Sequence, residues 1–99
     1  MSSLQQLMSE TERLLILRIL KEASGYCANE SIIDRSMDLW GNSISRDKVR
    51  AHLTWLEEQE VVSLEEMSGY LVATLRQRGL DLTEGTCTLP GVARPGPRT

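Results

Sequence analysis

Aromatic side chains are scarce in this sequence. It has no phenylalanine, two tryptophans and two tyrosines among 99 residues. Because aromatic rings usually supply much of the buried area of a small protein, the core must be built mainly from aliphatic side chains. A chain of this length is sufficient for one domain with one core.

Long apolar runs are absent as well. No segment approaches the roughly 20 apolar residues that a membrane-spanning helix requires. The N-terminal stretch MSSLQQLMSETER lacks the basic start and the apolar run of a signal peptide. We therefore expect a cytoplasmic protein that has no membrane partner.

Residues that carry catalytic or metal chemistry are few. Cys27 and Cys87 are far apart and have no neighbouring histidine, which favours two reduced thiols over a disulfide or a metal site. His52 is the single histidine and is expected at the edge of the core, because a general base would need a partner that the sequence does not show. No glycine-rich phosphate loop is present. We expect no enzyme, no metal and no cofactor.

The charge of the chain is acidic overall but unevenly distributed. The net charge of −3 and the pI of about 5.1 disfavour a general nucleic-acid binder, because phosphate contacts need local positive charge. Residues 46–56 nevertheless contain three basic residues and one acidic residue, whereas residues 57–66 contain five glutamates and no basic residue. A positive segment is thus followed by an acidic one.

The composition changes at Gly85. Residues 85–99 contain all three prolines and little apolar material, which is typical of an irregular tail. We therefore divide the chain into a folded domain at 1–84 and a tail at 85–99. The tail is expected to be extended or mobile, or ordered only against a neighbour, because it has almost nothing to bury.

The first predicted helix covers about residues 10–24. Ser9 and Glu12 have the spacing of a capping box, in which each side chain bonds a free backbone N–H. Apolar residues cover more than one face of this helix, so it is either a central core helix or a helix that packs partly on a second subunit. The second alternative predicts a homodimer, with an interface at Leu15, Ile16, Ile19 and Leu20.

The second predicted helix covers about residues 30–40. A short strand at about 26–28 precedes it, and Asn29 is its predicted N-cap. Its apolar side is expected to comprise Ile32, Ile33, Met37, Leu39 and Trp40.

The third predicted helix, at 45–59, has the most regular apolar pattern. Ser45 is a favourable N-cap. Val49, Leu53 and Leu56 recur at helical spacing and form one apolar stripe. Only a short turn separates this helix from the second one, and two helices joined in this way form a helix-turn-helix.

A hairpin and a fourth helix complete the predicted order. The runs 61–66 and 70–74 are rich in residues that favour strands, with a turn between them. Thr74 and Gln77 have capping-box spacing for a last helix, although Gly79 inside it costs about 1 kcal/mol relative to alanine. A hairpin directly after a helix-turn-helix is a wing. The predicted fold class is therefore α+β, mainly α: a winged helix-turn-helix with a two-stranded wing.

Two segments carry a resemblance to known proteins. SRDKVRAHLTWLEEQEVVSLEE resembles the recognition helix and first wing strand of bacterial winged-helix regulators, with LxWLEEQxxV as the recurring feature. GYLVATLRQRGLDL resembles their second wing strand and the helix that follows it. Over about residues 10–84 the chain therefore resembles the winged helix-turn-helix superfamily, including its arsenical-repressor-like regulators.

The whole chain, with its tail, is also similar to small proteins of Mu-like transposable prophages. Two features depart from the metal-sensing repressors. Those proteins carry a cysteine pair near the recognition helix, which this chain lacks, and Glu60 stands where a glycine is common. The resemblance thus implies the fold more firmly than any one function.

The resemblance makes the third helix, 45–59, the recognition helix, whose N-terminal half would face the bases of a major groove. Arg50 is the best candidate base reader, because a guanidinium binds guanine O6 and N7 with two bonds. Arg46 and Lys48 suit phosphates. The candidate DNA-binding residues are Ser43, Ser45, Arg46, Lys48, Arg50, Thr54, Arg76 and Arg78.

Two functions remain open. The first is sequence-specific binding of double-stranded DNA by a phage or prophage transcriptional regulator. The alternative is a protein-interaction adaptor in phage assembly or DNA packaging, which binds a phage or host protein and reads no DNA. A continuous strip of positive surface potential would favour DNA binding. Positive patches separated by glutamates such as Glu65 and Glu66 would favour the adaptor. A third interpretation is that the basic residues form only a solvated helix face.

Overall fold

A computed structural model describes residues 3–96 of the chain. The helices are α1 (Leu4–Glu22), α2 (Glu30–Leu39), α3 (Arg46–Glu58) and α4 (Gln77–Glu84), with a 3-10 turn at Ser24–Tyr26. The strands are β1 (Cys27–Asn29), β2 (Val62–Met67) and β3 (Tyr70–Leu75). They form one antiparallel sheet in the order β1-β3-β2. The predicted fold class is confirmed, with the short strand β1 added to the two-stranded wing.

Helix α1 begins six residues earlier than the predicted start at residue 10, because Ser3 acts as its N-cap. The Gln6 N–H donates to the Ser3 hydroxyl oxygen at 3.0 Å. The predicted capping box of Ser9 and Glu12 is therefore wrong. Both residues lie inside the helix, where backbone N–H groups already have partners, and the Glu12 side chain is buried.

The apolar residues of α1 are covered by the chain itself. Ile16, Ile19 and Leu20 belong to the core, and Leu15 is partly buried against it. Helix α1 packs against α2, β3 and α4. The structure thus follows the central-helix alternative, and three of the four residues expected at a dimer interface are buried within a single chain.

Helix α2 buries a narrower face than predicted. Asn29 is the N-cap, as predicted, and accepts from the Ile32 N–H at 2.9 Å. Ile33 and Met37 are fully buried, because a spacing of four places them above one another on the same face. The expectation that Ile32, Leu39 and Trp40 share that face is wrong, since all three are exposed.

Helix α3 confirms the predicted register. The Ser45 hydroxyl accepts from the Lys48 N–H at 3.1 Å, and Val49, Leu53 and Leu56 are fully buried. The helix ends without glycine, because Glu60 adopts a left-handed conformation with φ 63°. This conformation is costly for a residue with a side chain, and here it turns the chain from α3 into the wing.

The wing ends in a tight two-residue turn. Ser68 and Gly69 both have positive φ, which matches the right-handed twist of the flanking strands. The predicted capping box of Thr74 and Gln77 is wrong, because Thr74 belongs to β3 and α4 begins only at Gln77.

Gly79 allows α4 to approach the wing closely. A Cβ atom at this position would lie 2.5 Å from the Val61 carbonyl oxygen and 2.5 Å from a methyl carbon of Leu75. The low helix propensity of glycine is therefore tolerated here, because a larger residue would separate α4 from the sheet.

The segment that follows α4 is irregular but packed. Val92 is buried, and the Ala93 N–H donates to the Glu10 carbonyl oxygen of α1 at 3.1 Å. Arg13 donates to the Gly91 carbonyl oxygen at 2.8 Å. The expectation of a tail with almost nothing to bury is wrong for this segment. The last part of that predicted tail, 97–99, lies outside the described residues.

Within residues 3–96, no helix combines the length and the apolar character needed to cross a bilayer.

Candidate nucleic-acid interface

The outward face of α3 is acidic. Asp47, Ala51, Thr54 and Glu58 are exposed. At about 100° per residue they lie within an arc of about 60° opposite the buried stripe. The face that would enter a groove directly therefore carries two carboxylates and no basic side chain. The Thr54 hydroxyl donates to the Arg50 carbonyl oxygen at 3.0 Å, so its proton is engaged within the helix.

Two basic side chains lie on the flank of α3 that faces α2. Arg50 Nη1 donates to Glu30 Oε2. Arg46 donates from Nε to Asp34 Oδ2 at 3.3 Å, and its Nη1 lies 3.7 Å from Glu30 Oε1. Both guanidinium groups are thus held by carboxylates of α2.

Lys48 lies on the other flank of α3, towards α1. Its Nζ is 3.7 Å from Glu12 Oε1, and the same oxygen is 2.8 Å from His52 Nε2. Arg13 donates from Nε to His52 Nδ1 at 3.2 Å. His52 can therefore be assigned as the neutral tautomer with its proton on Nε2, donating to Glu12.

The environment of His52 agrees with a neutral ring. Burial lowers the pKa of His52, although the hydrogen bond to Glu12 opposes this shift. The expectation of a core-edge residue is corrected to a buried one, because His52 is only 4% exposed. Both ring nitrogens have hydrogen-bond partners within the chain, so neither is available to take a proton from a substrate.

Each of the three basic side chains on the flanks of α3 is paired with a carboxylate. Arg46, Lys48 and Arg50 have 39%, 41% and 40% of their side-chain area exposed. Their carboxylate partners are Glu12, Glu30 and Asp34. Three cations thus face three carboxylates, and the basic segment seen in the sequence is neutralised in the fold while the cationic side chains still reach solvent.

Among the three carboxylates, Glu30 contacts both arginines of α3. It is 2% exposed and lies at the first position of α2, where the helix dipole favours a negative charge. Besides the two guanidinium groups, its Oε2 accepts from the Leu71 N–H of β3 at 2.6 Å. Glu30 therefore connects α2, α3 and the second wing strand.

Sequence reasoning missed Glu12 and Glu30 as members of the site. One signal was available for Glu12. It lies four residues before Ile16 and therefore continues the buried face of α1, where an acidic residue is unusual unless it is paired. The sequence offers no comparable signal for Glu30, because an acidic residue in the first turn of a helix is common on the surface.

The structure divides the predicted DNA-binding residues into two groups. Ser43 and Ser45 precede α3 and lie beside Arg46, at its N-terminal end. Arg78 instead donates to the Gln59 carbonyl oxygen at 2.7 Å, at the other end of the helix. Because α3 has 13 residues, about 20 Å separate the two ends. Arg76, exposed at the N-cap of α4, belongs with Arg78 at this far end.

The wing is acidic and partly apolar at its surface. Glu65 and Glu66 are exposed, as are Met67 and Tyr70 at the tip. Leu64 lies on the edge strand, and its N–H donates to the Glu57 side chain of α3 at 3.2 Å. One backbone N–H of this edge strand therefore already has a partner within the chain and is not free to pair with another strand.

No metal site is formed by the described residues. Between residues 3 and 96, no three histidine, cysteine, aspartate or glutamate side chains are grouped so as to hold an ion. Cys27 and Cys87 are both free thiols.

Comparison with known proteins places the chain in a phage family. No family model matches it. Protein gp26 of Escherichia phage Mu is 42% identical over 95 residues, which cover 96% of this chain and 98% of gp26. The chain belongs to the Mu gp26 family. A protein of Haemophilus influenzae is 49% identical over 86 residues, covering 86% of this chain and 83% of that protein.

Solved structures share the fold of this gp26-family chain. BpsR of Bordetella bronchiseptica has a TM-score of 0.61 at 15% identity, over 74% of this chain and 48% of BpsR. RosR of H. salinarum has a TM-score of 0.64 at 19% identity, over 74% of this chain and 66% of RosR. The chain thus spans about half of the BpsR chain. DNA binding by BpsR is regulated by 6-hydroxynicotinic acid.

Proposed function

We propose that this gp26-family protein is a cytoplasmic phage or prophage regulator that binds double-stranded DNA through α3. The supporting observation is the arrangement of Arg46, Lys48 and Arg50. They surround the N-terminal half of the second helix of a helix-turn-helix, and each keeps about two fifths of its side-chain area exposed. In this fold, that half of the helix is the part that contacts base edges.

The residues have different proposed roles. Arg50 reads a base with the guanidinium N–H groups that Glu30 does not occupy. Arg46 and Lys48 bind phosphate, and the hydroxyl groups of Ser43 and Ser45 donate to phosphate beside the helix N-terminus. These contacts approach from the flanks of α3, because its central outward face is acidic.

Three further residues, Thr54, Arg76 and Arg78, have smaller proposed roles in DNA binding. The Thr54 hydroxyl proton is engaged by the Arg50 carbonyl oxygen, so Thr54 offers its methyl group to a thymine methyl. Arg76 and Arg78 serve only as outer phosphate contacts, because Arg78 lies at the far end of α3.

A homodimer is part of the proposal, with an interface different from the one expected from sequence. Leu4, Leu7 and Met8, on the N-terminal turns of α1, are 74%, 50% and 48% exposed. Their spacing places them on one side of the helix. Residues 3–9 contain no charged side chain, so two copies can pair without like-charge repulsion. A symmetric dimer would present two α3 helices to an inverted repeat.

Fluorescence anisotropy with labelled DNA tests this function. Fragments that tile the phage or prophage region around the gene are titrated with the protein at roughly 50 and 200 mM salt, a range over which phosphate contacts weaken strongly. We expect one fragment to bind more tightly than the others at both salt concentrations. Equal binding of all fragments near 50 mM salt would contradict the proposal.

A protein-interaction adaptor in phage assembly or packaging is the second candidate. It is favoured by the acidic character of both the outward face of α3 and the wing, where Met67 and Tyr70 add exposed apolar area. Such a surface suits a basic protein partner. If the adaptor function is correct, the protein prefers no DNA fragment but forms a complex with a purified assembly or packaging protein of the same phage, and Glu65→Lys weakens that complex.

A further inference from the structure

The buried carboxylate of Glu30 stands between the two guanidinium groups that the proposed function assigns to DNA. Its Oε2 accepts from Arg50 and from the Leu71 N–H, and its Oε1 lies 3.7 Å from Arg46 Nη1. The side chain is enclosed by α2, α3 and β3. It is only 2% exposed, so its charge is directed to these partners rather than to solvent.

A fixed carboxylate at this position competes with phosphate. Non-specific DNA binding depends on the counterions that are released when free cations neutralise phosphates. Arg46 and Arg50 are already neutralised by Glu30 and Asp34, so little charge remains to attract a phosphate at an arbitrary sequence. Base reading is less affected, because a guanidinium has five N–H donors and the carboxylate occupies only part of them.

We propose that Glu30, assisted by Asp34, is a specificity-determining residue that acts as an internal counter-charge. It lowers the affinity of α3 for DNA of arbitrary sequence and so increases the preference for the correct site. This proposal rests on the proposed DNA-binding function. It gives a functional reason why the arginines of α3 are paired with carboxylates of α2.

Glu30→Gln is the informative variant. Glutamine has the same shape, and its carbonyl oxygen can still accept from the Leu71 N–H, so the link to the wing is retained while the charge is removed. Asp34→Asn is a second variant that remains useful if the buried substitution impairs folding. Asp34 is partly exposed and contacts Arg46 alone among the cations of α3. Glu22→Gln, at the exposed C-terminal end of α1, removes the same charge away from α3.

The experiment compares two DNA fragments across salt concentrations. The wild type and the three variants are titrated with the preferred fragment and with one of scrambled sequence. For Glu30→Gln, we expect the Kd for scrambled DNA to fall roughly fivefold near 50 mM salt, and the salt slope to steepen by about one phosphate, because one negative charge is removed. The preference for the correct fragment should fall by a similar factor.

The two other variants calibrate this result. Asp34→Asn frees only one cation and should produce a smaller change in the same direction. Glu22→Gln should change the Kd for scrambled DNA by less than about twofold, because Glu22 is exposed and lies about 15 Å along α1 from Glu12, the residue of α1 that contacts Lys48 and His52.

The outcomes separate this proposal from the function on which it rests. If the wild type prefers one fragment and Glu30→Gln leaves both Kd values and the salt slope unchanged, the counter-charge proposal is overturned while DNA recognition stands. A loss of affinity for both fragments would also overturn it, because Glu30 would then only position Arg50. If the wild type prefers no fragment, the recognition function fails; a gain of salt-dependent affinity in Glu30→Gln would then show that Glu30 only suppresses non-specific binding, which overturns its role in specificity.

Discussion

His52 Nε2 lies 2.8 Å from Glu12 Oε1, and this buried hydrogen bond joins α3 to α1 across 40 residues of sequence. It links the helix that carries the candidate DNA-binding residues to the central helix of the core. Nδ1 of the same ring accepts from Arg13 Nε at 3.2 Å, which requires a neutral imidazole, so the stability of the domain depends on the protonation state of His52.

The first prediction concerns pH. Burial lowers the pKa of His52 in the folded chain below its ordinary value of 6.5. Below that value the unfolded chain takes up a proton that the folded chain does not, so stability is lost as pH falls below 6.5. The slope from this group can reach about 1.4 kcal/mol per pH unit.

Denaturant unfolding between pH 7.5 and pH 5 measures this effect, with His52→Gln as the comparison. We expect the wild type to lose more stability than the variant over this range, since glutamine does not titrate. Equal losses would show that other groups account for the pH dependence.

The second prediction separates base reading from phosphate binding in α3. Arg50→Ala should cost roughly 1–3 kcal/mol on the preferred DNA fragment and reduce the preference among fragments. Lys48→Ala should weaken binding to all fragments similarly and lower the salt slope by about one phosphate. Salt-dependent anisotropy titrations measure both, and Lys21→Ala, which removes a cation from the other end of α1, is the control. Identical effects of Arg50→Ala and Lys48→Ala would refute the division of roles.

The third prediction concerns the segment after α4. Ending the chain at Leu89 removes Val92 from the core and the Gly91 carbonyl that accepts from Arg13. We expect a clear fall in Tm, which thermal unfolding followed by circular dichroism measures. Val92→Ala alone should cost about 1–2 kcal/mol, because it empties part of a buried site.

Arg94→Ala is the matched control for this segment, because Arg94 is exposed and close to Val92 in sequence. It should leave Tm almost unchanged. An unaltered Tm in the truncated chain would show that the packing of this segment contributes nothing to stability.

The fourth prediction concerns assembly. Leu7→Glu places a charge in the exposed apolar surface of α1 and should convert the proposed homodimer to a monomer, because two buried carboxylates would face each other across a symmetric interface. Light scattering at tens of micromolar protein measures the change. Leu39→Glu makes the same substitution at an exposed position of α2 and should leave the dimer intact. A wild type that is monomeric at this concentration would contradict the proposal.

The features predicted correctly from sequence depend on residues that are close together in the chain. Asn29 and Ser45 cap helices by bonding backbone groups three residues away. The stripe of Val49, Leu53 and Leu56 follows the helical repeat, and the order of helix-turn-helix and hairpin follows from the spacing of such local signals. These interactions form within one or two turns of chain, so the sequence by itself determined the order of elements in the winged fold and the buried face of α3.

The tertiary structure alone decided which charges meet and which apolar residues are covered. Arg50 donates a hydrogen bond to Glu30, which is 20 residues away in the sequence, and Glu30 accepts from the Leu71 N–H, which is 41 residues away. Such pairs depend on how helices and strands are placed in space, which local periodicity does not encode. For the same reason, a segment that is basic in sequence is neutral in the folded protein, and a proline-containing segment that looks unstructured contributes Val92 to the core.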